Sequence, residues 1–146
     1  MSDRFFGGSL RVILANLSWL ASCMPGWLAF LCASRNVKHT QLKILFRILQ
    51  HNNRTEMGFR HNFNSIHSLE AFMALPLSEY EDYLPLIERL RRGENTGFTQ
   101  DSVEALLPTS GSVHGTKLIP YTMALRKEFQ QGINPWIASL YLAHPS

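Results

Sequence analysis

A mainly helical α+β fold with one short β-hairpin is what this sequence predicts, and three observations predict it. Leu42, Leu45, Phe46 and Leu49 fall at i, i+3, i+4 and i+7, the spacing that gathers apolar side chains on one face of a helix. Helix punctuation recurs through the middle of the chain at Ser68, Pro76, Pro85 and Gly93, where a capping residue or first-turn proline starts a helix and a later Pro or Gly stops it. Two short apolar runs, 103–107 and 116–121, then flank a loop of hydroxyls and glycines, the pattern of two strands and their connection.

A chain of 146 residues, 45% of them hydrophobic and 11% aromatic, is long and apolar enough for one ordinary domain with a core. Disorder is excluded on the same grounds. The net charge of +3 is mild. Its basic residues are dispersed among acids, so a nucleic-acid partner is not expected. Cys23 and Cys32 have no Cys-x-x-Cys spacing and the six histidines are scattered; buried thiols are expected, and no zinc pattern is present.

Residues 1–16 are expected to be poorly ordered. No charged residue occurs from Val12 to Ala33, a run long enough to span a bilayer. Leu20-Ala21-Ser22-Cys23 also has the form of a bacterial lipoprotein processing site. Against export, Asp3 offsets one arginine of a thin basic start, and Pro25-Gly26 with Asn16, Ser18 and Ser22 dilute the apolar run. A helix pair burying Leu17, Trp19, Leu20, Trp27, Leu28, Phe30 and Leu31 explains the same residues. A cytoplasmic protein is the expectation, with membrane anchoring as the lesser reading.

The amphipathic helix runs from about Lys38 to His51, with Asn52-Asn53 as its stop. Residues 54–63 have no period and read as a structured loop. Ser68 caps a short helix through Ala74, closed by Leu75-Pro76. Ser78 and Glu81 have capping-box spacing, but Pro85 would break a long helix begun there. A turn at 80–83 followed by a helix with Pro85 in its first position, ending at Arg92 and Gly93, fits better. Arg89, Arg91 and Arg92 crowd the last turn of that helix, where its dipole favours positive charge. Thr122 is the N-cap of a final helix, which Gly132 and Pro135 are expected to interrupt.

The loop between the two strands, Pro108-Thr109-Ser110-Gly111-Ser112-Val113-His114-Gly115-Thr116-Lys117, has the makings of a phosphate site. Glycines let the backbone approach an anion, hydroxyls and N–H groups donate to its oxygens, and a lysine adds positive charge. Gly-Ser-rich links are also ordinary hairpin connections, so the loop by itself leaves both uses open. A Walker-type loop is excluded. Too few residues separate Gly111 from Gly115, and Lys117 leads into a strand instead of a helix.

Four segments occur in order: Asn53-Arg54-Thr55-Glu56-Met57-Gly58-Phe59-Arg60-His61-Asn62-Phe63; Pro76-Leu77-Ser78-Glu79-Tyr80-Glu81-Asp82-Tyr83 with Ile87-Glu88-Arg89; Pro108-Thr109-Ser110-Gly111-Ser112; and Thr116-Lys117-Leu118-Ile119-Pro120-Tyr121-Thr122. Together they resemble the N-terminal part of the auxin-responsive promoter (Gretchen Hagen) family in its bacterial form. The family's plant members are acyl-acid amido synthetases, adenylate-forming enzymes that activate a carboxylate with ATP and pass the acyl group to an amino acid's amine. The resemblance implies a fragment of an α/β adenylating domain. It also implies ATP and Mg²⁺ as cofactors, and Thr109, Ser110, Gly111, Ser112, Gly115 and Lys117 as the ATP phosphate-binding loop. No catalytic or metal-ligating residue is carried over.

Two departures qualify it. The family loop usually runs Ser-Thr-Gly-Gly after its first glycine, where this chain has Ser112-Val113-His114-Gly115. Val113 removes a hydroxyl, a charge-assisted bond worth roughly 1.5–3 kcal/mol, and His114 adds a β-carbon where a glycine could take positive φ. Family members are also several times longer. The expectation is therefore a truncated relative, inactive alone and completed by a separately encoded remainder or a full-length relative. The alternative is a non-catalytic module that binds a nucleotide or a partner.

Overall fold

The structure, a computed structural model, describes residues 10–94, 97–110 and 117–143. Its element order is α1 (Leu10–Ser34), α2 (Val37–His51), α3 (Glu56–Arg60), α4 (Leu69–Met73), α5 (Leu84–Arg91), β1 (Val103–Pro108), β2 (Leu118–Thr122) and α6 (Met123–Ala143), with 3-10 turns over Phe63–Ser65 and Tyr80–Tyr83. The mainly helical α+β fold is present as expected, with one two-stranded antiparallel sheet among the described residues. The chain divides into two compact units: one holds α1 and α6 from Glu128 onward, the other Lys38–Lys127.

In the first unit, the helix pair expected to hold Leu17 to Leu31 is instead one helix. α1 is one continuous helix with Pro25 inside it, and it starts at Leu10, so residues 10–16 are helical. Gly132 and Pro135 likewise fail to interrupt α6. An interior proline ordinarily costs a helix about 3 kcal/mol, yet both helices run through theirs, and they touch at a few side chains. Trp19 meets the Tyr141 ring edge-on at 6.1 Å, and the Tyr141 hydroxyl donates to Asn16 Oδ1 at 3.3 Å. Nearer the other end, a β-carbon on Gly26 would meet Asn134 Cβ at 2.8 Å. Contacts at 16–19 with 141 and at 26 with 134 make the pair antiparallel.

The burial expected for α1 is also corrected. Cys23 is buried, but Leu17, Trp19, Leu28, Phe30 and Leu31 are exposed and Cys32 is an exposed free thiol. α1 is the one helix among the described residues long and apolar enough, by length and composition, to cross a membrane.

The second unit follows its local signals closely. α2 covers the amphipathic stretch and buries Leu49. Ser68 Oγ accepts from Ala71 N at 3.1 Å to start α4. Pro85 lies in the first turn of α5, and Gly93, just past its end, has φ +77°, the left-handed conformation that closes a helix. Leu86 and Ile87 of α5 are its most buried large side chains.

Two local assignments change. Residues 54–63, expected as a loop, contain α3. Thr55 Oγ1 accepts from Gly58 N at 3.0 Å, and Gly58 lies so close to the end of α2 that a β-carbon there would sit 2.2 Å from Asn52 O. The capping box falls one residue later than Ser78 and Glu81. Glu79 N donates to Asp82 Oδ2 at 2.9 Å, while the Ser78 and Tyr83 hydroxyls bond each other.

β1 and β2 pair antiparallel, with Pro108 opposite Leu118 and Leu106 opposite Pro120, and an irregularity between Val103 and Ala105. Thr122, buried at the end of β2, caps α6 by accepting from Leu125 N at 3.1 Å.

Candidate functional site

The hairpin places Thr109, Ser110 and Lys117 at the neck of the loop. Thr109 N donates to Lys117 O at 2.8 Å, one step beyond the Pro108–Leu118 pair, so the ladder continues to the point where the loop leaves the strands. Gly111, Ser112 and Gly115 lie outside the described residues, as do Val113 and His114. Of the six residues expected to bind phosphate, three are therefore brought together here. They are two hydroxyl side chains on the entry side and an ammonium on the exit side.

A residue from elsewhere in the chain holds the exit side. Tyr80, the first residue of its 3-10 turn, accepts from Leu118 N at 2.8 Å with its hydroxyl, which also donates to Leu118 O at 3.4 Å. The Lys117 ammonium stands over the same ring, 5.2 Å from its centroid, within reach of cation–π attraction. Lys117 and Tyr80 are both half-buried. Sequence reasoning read Tyr80 only as part of a turn. A contact across 38 positions leaves no local signal.

Beside this neck, between the hairpin and α5, is an apolar cavity of about 350 Å³ lined by Tyr80, Tyr83, Ile87, Phe98, Leu118 and Pro120. Tyr83 and Phe98 meet edge-to-face across it at 5.9 Å.

The arginines that end α5 are engaged apart from the neck. Arg89 Nη1 donates to Glu56 Oε2 at 2.9 Å and its Nε to Glu94 Oε2 at 3.3 Å. Arg91 pairs with Glu88, and Arg92 with Glu94. The hydrogen bond to Glu56, followed by that to Glu94, raises the Arg89 pKa above its ordinary value. The bond from Arg92 holds the Glu94 carboxyl below the usual range. Among the described residues, no group of three or more His, Cys, Asp or Glu could hold a metal ion.

What the neck offers chemically is a donor set. An ammonium and two hydroxyls are all groups that can donate to an anion. No curated protein matches the chain. The family model described as the GH3 family N-terminal domain matches residues 29–145, which takes in the hairpin, the Tyr80 turn and α3. The chain belongs to the GH3 auxin-responsive promoter family.

Proposed function

We propose that this chain is the phosphate-gripping part of an ATP-dependent acyl-acid amido synthetase relative, working in the cytoplasm. The observation that carries the reading is the closed neck. The bond from Thr109 N to Lys117 O brings the backbone of these two residues together at the end of the hairpin, with Ser110 next to Thr109 in the chain. In the proposed site, Thr109, Ser110 and Ser112 donate to phosphate oxygens. Gly111 and Gly115 allow the backbone to approach, and Lys117 supplies positive charge. Those groups fit a polyphosphate because all are donors or cations.

ATP, when bound, supplies the electrophilic α-phosphorus. A carboxylate attacks it and pyrophosphate leaves; the amine of an amino acid then takes the acyl group and AMP leaves. Positive charge and hydroxyls at the phosphates favour the first step by stabilising charge on the equatorial oxygens. Mg²⁺ would accompany the nucleotide and neutralise charge on its phosphates. The acid pocket and adenine contacts, in this reading, come from polypeptide other than residues 10–143.

The test is Mg·ATP binding by the chain, followed as a thermal shift, and carboxylate-dependent ATP–pyrophosphate exchange with the completing polypeptide added. Lys117→Ala and Ser112→Ala are each expected to weaken binding about tenfold. A wild-type chain whose melting is indifferent to Mg·ATP would overturn the reading.

A second reading, a partner-binding module, is favoured by α1, where Leu14, Leu17, Trp19, Leu28 and Phe30 are each about half exposed or more. Large apolar side chains exposed around a helix in this way are what a partner surface would cover. Sedimentation of the chain alone and with a full-length relative distinguishes the two readings.

A further inference from the structure

Tyr80 grips the hairpin on the side opposite to β1. Along an antiparallel strand, successive residues direct their backbone N–H and C=O groups alternately toward and away from the partner strand. Lys117 O faces inward and accepts from Thr109 N, whereas the N–H and C=O of Leu118 both turn outward to the Tyr80 hydroxyl. The two residues at the loop's exit are thus held from both sides. The grip is anchored, because the Tyr80 turn carries the capping box of Glu79 and Asp82 and runs directly into α5 with its buried Leu86 and Ile87. The Tyr80 ring meanwhile lies under the Lys117 ammonium.

We propose that Tyr80 is a positioning residue for nucleotide phosphate, acting through Lys117. Its hydroxyl fixes the backbone where the loop ends, and its ring holds the Lys117 side chain in place before ligand arrives. An ammonium has three N–H donors, and a ring face below it leaves donors directed away from the ring for phosphate. The advantage is entropic. A free lysine loses rotamer freedom when ordered, and a lysine already held on a ring has lost part of it before binding. This inference rests on the reading of the loop as an ATP phosphate site.

The two contributions separate by substitution. Tyr80→Phe keeps the ring and removes the hydroxyl; Tyr80→Leu removes both. The chain is titrated with Mg·ATP in wild type, both Tyr80 variants, Lys117→Ala and the double variant Tyr80→Leu/Lys117→Ala, with the melting temperature of each recorded. Tyr80→Phe is expected to weaken binding about threefold and Tyr80→Leu about tenfold. In the Lys117→Ala background most of the Tyr80→Leu effect should vanish, a non-additivity that a merely structural tyrosine would not produce. A Tyr80→Leu effect of equal size with and without Lys117 would overturn the proposal.

A second readout does not depend on nucleotide. The Lys117 Hε protons, assigned by their loss in Lys117→Ala, should resonate upfield in wild type and Tyr80→Phe, shifted by the ring beneath them. If Tyr80→Leu does not fold, Tyr80→Phe and this resonance still decide. Random-coil Hε shifts in the wild type would overturn the positioning even if ATP binds. Upfield shifts with no ATP binding would support the positioning and sink only the phosphate reading.

Discussion

Arg89 donates to Glu56 at 2.9 Å, tying the last turn of α5 to the first turn of α3. The same guanidinium reaches Glu94, which also accepts from Arg92 at 2.8 Å, while Glu56 accepts from Arg60 at 3.2 Å. Arginines and carboxylates therefore alternate through one network between elements distant in sequence. By contrast, Arg91 bonds Glu88 within its own helix. Arg89→Ala should lower the melting temperature more than Arg91→Ala, because only Arg89 links separate elements. Thermal melts check this, and the difference should shrink in about 1 M salt, where screening reaches ~3 Å.

Glu94 gives the network a pH dependence. Its carboxyl titrates below the ordinary value of 4.5 because Arg92 donates to it, with Arg92 and Arg89 adding attraction. A depressed folded pKa contributes stability that is present above the unfolded value and lost as pH falls through the folded one. Wild type should therefore lose stability on acidification below about 4.5 more steeply than Glu94→Gln, which cannot titrate there. Denaturant midpoints measured from neutral pH into the acid limb test the sign; parallel curves would contradict it.

Gly58 is the position least able to accept a side chain. A β-carbon would sit 2.2 Å from Asn52 O and 2.6 Å from Asn53 O, backbone atoms at the end of α2 that cannot swing aside. Gly58→Ala should cost about 3 kcal/mol. Thr55→Ala, which removes the buried cap of α3, should cost about 1 kcal/mol. Urea unfolding of the two variants should preserve that order.

Two other glycines should respond with opposite signs. Gly93 has φ +77° and open space around it, so alanine there carries only conformational strain, about 1 kcal/mol destabilising. Gly132 lies inside α6, also in open space, where alanine should stabilise by about 0.5–1 kcal/mol. Paired melts of Gly93→Ala and Gly132→Ala provide the comparison.

The elements that were legible in the sequence obey rules acting within a turn or two of chain. The face of α2 comes from Leu42, Leu45, Phe46 and Leu49. Ser68 and Thr122 cap their helices with their own side chains, and Pro85 with Gly93 brackets α5. The hairpin was legible too, because apolar runs on both sides of a Gly-Ser loop favour antiparallel pairing. The ordered segments from Asn53 to Thr122 were enough to identify the family, and the match over residues 29–145 agrees.

Tertiary structure decided the rest wherever a distant partner outweighed a local preference. Pro25, Gly132 and Pro135 are helix-breaking residues, yet α1 and α6 run through them, and the two helices meet at Trp19 and Tyr141. α3 had no period to reveal it, since its five residues exist through the Thr55 cap and the fit of Gly58 against Asn52 and Asn53. Tyr80 looked like a turn residue, and only the fold brings it beneath Lys117 and onto the backbone of Leu118. Caps and periodicity are set by neighbours along the chain and can be read there. Burial and side-chain partners depend on which segments meet in space, and that is fixed only when the chain is folded.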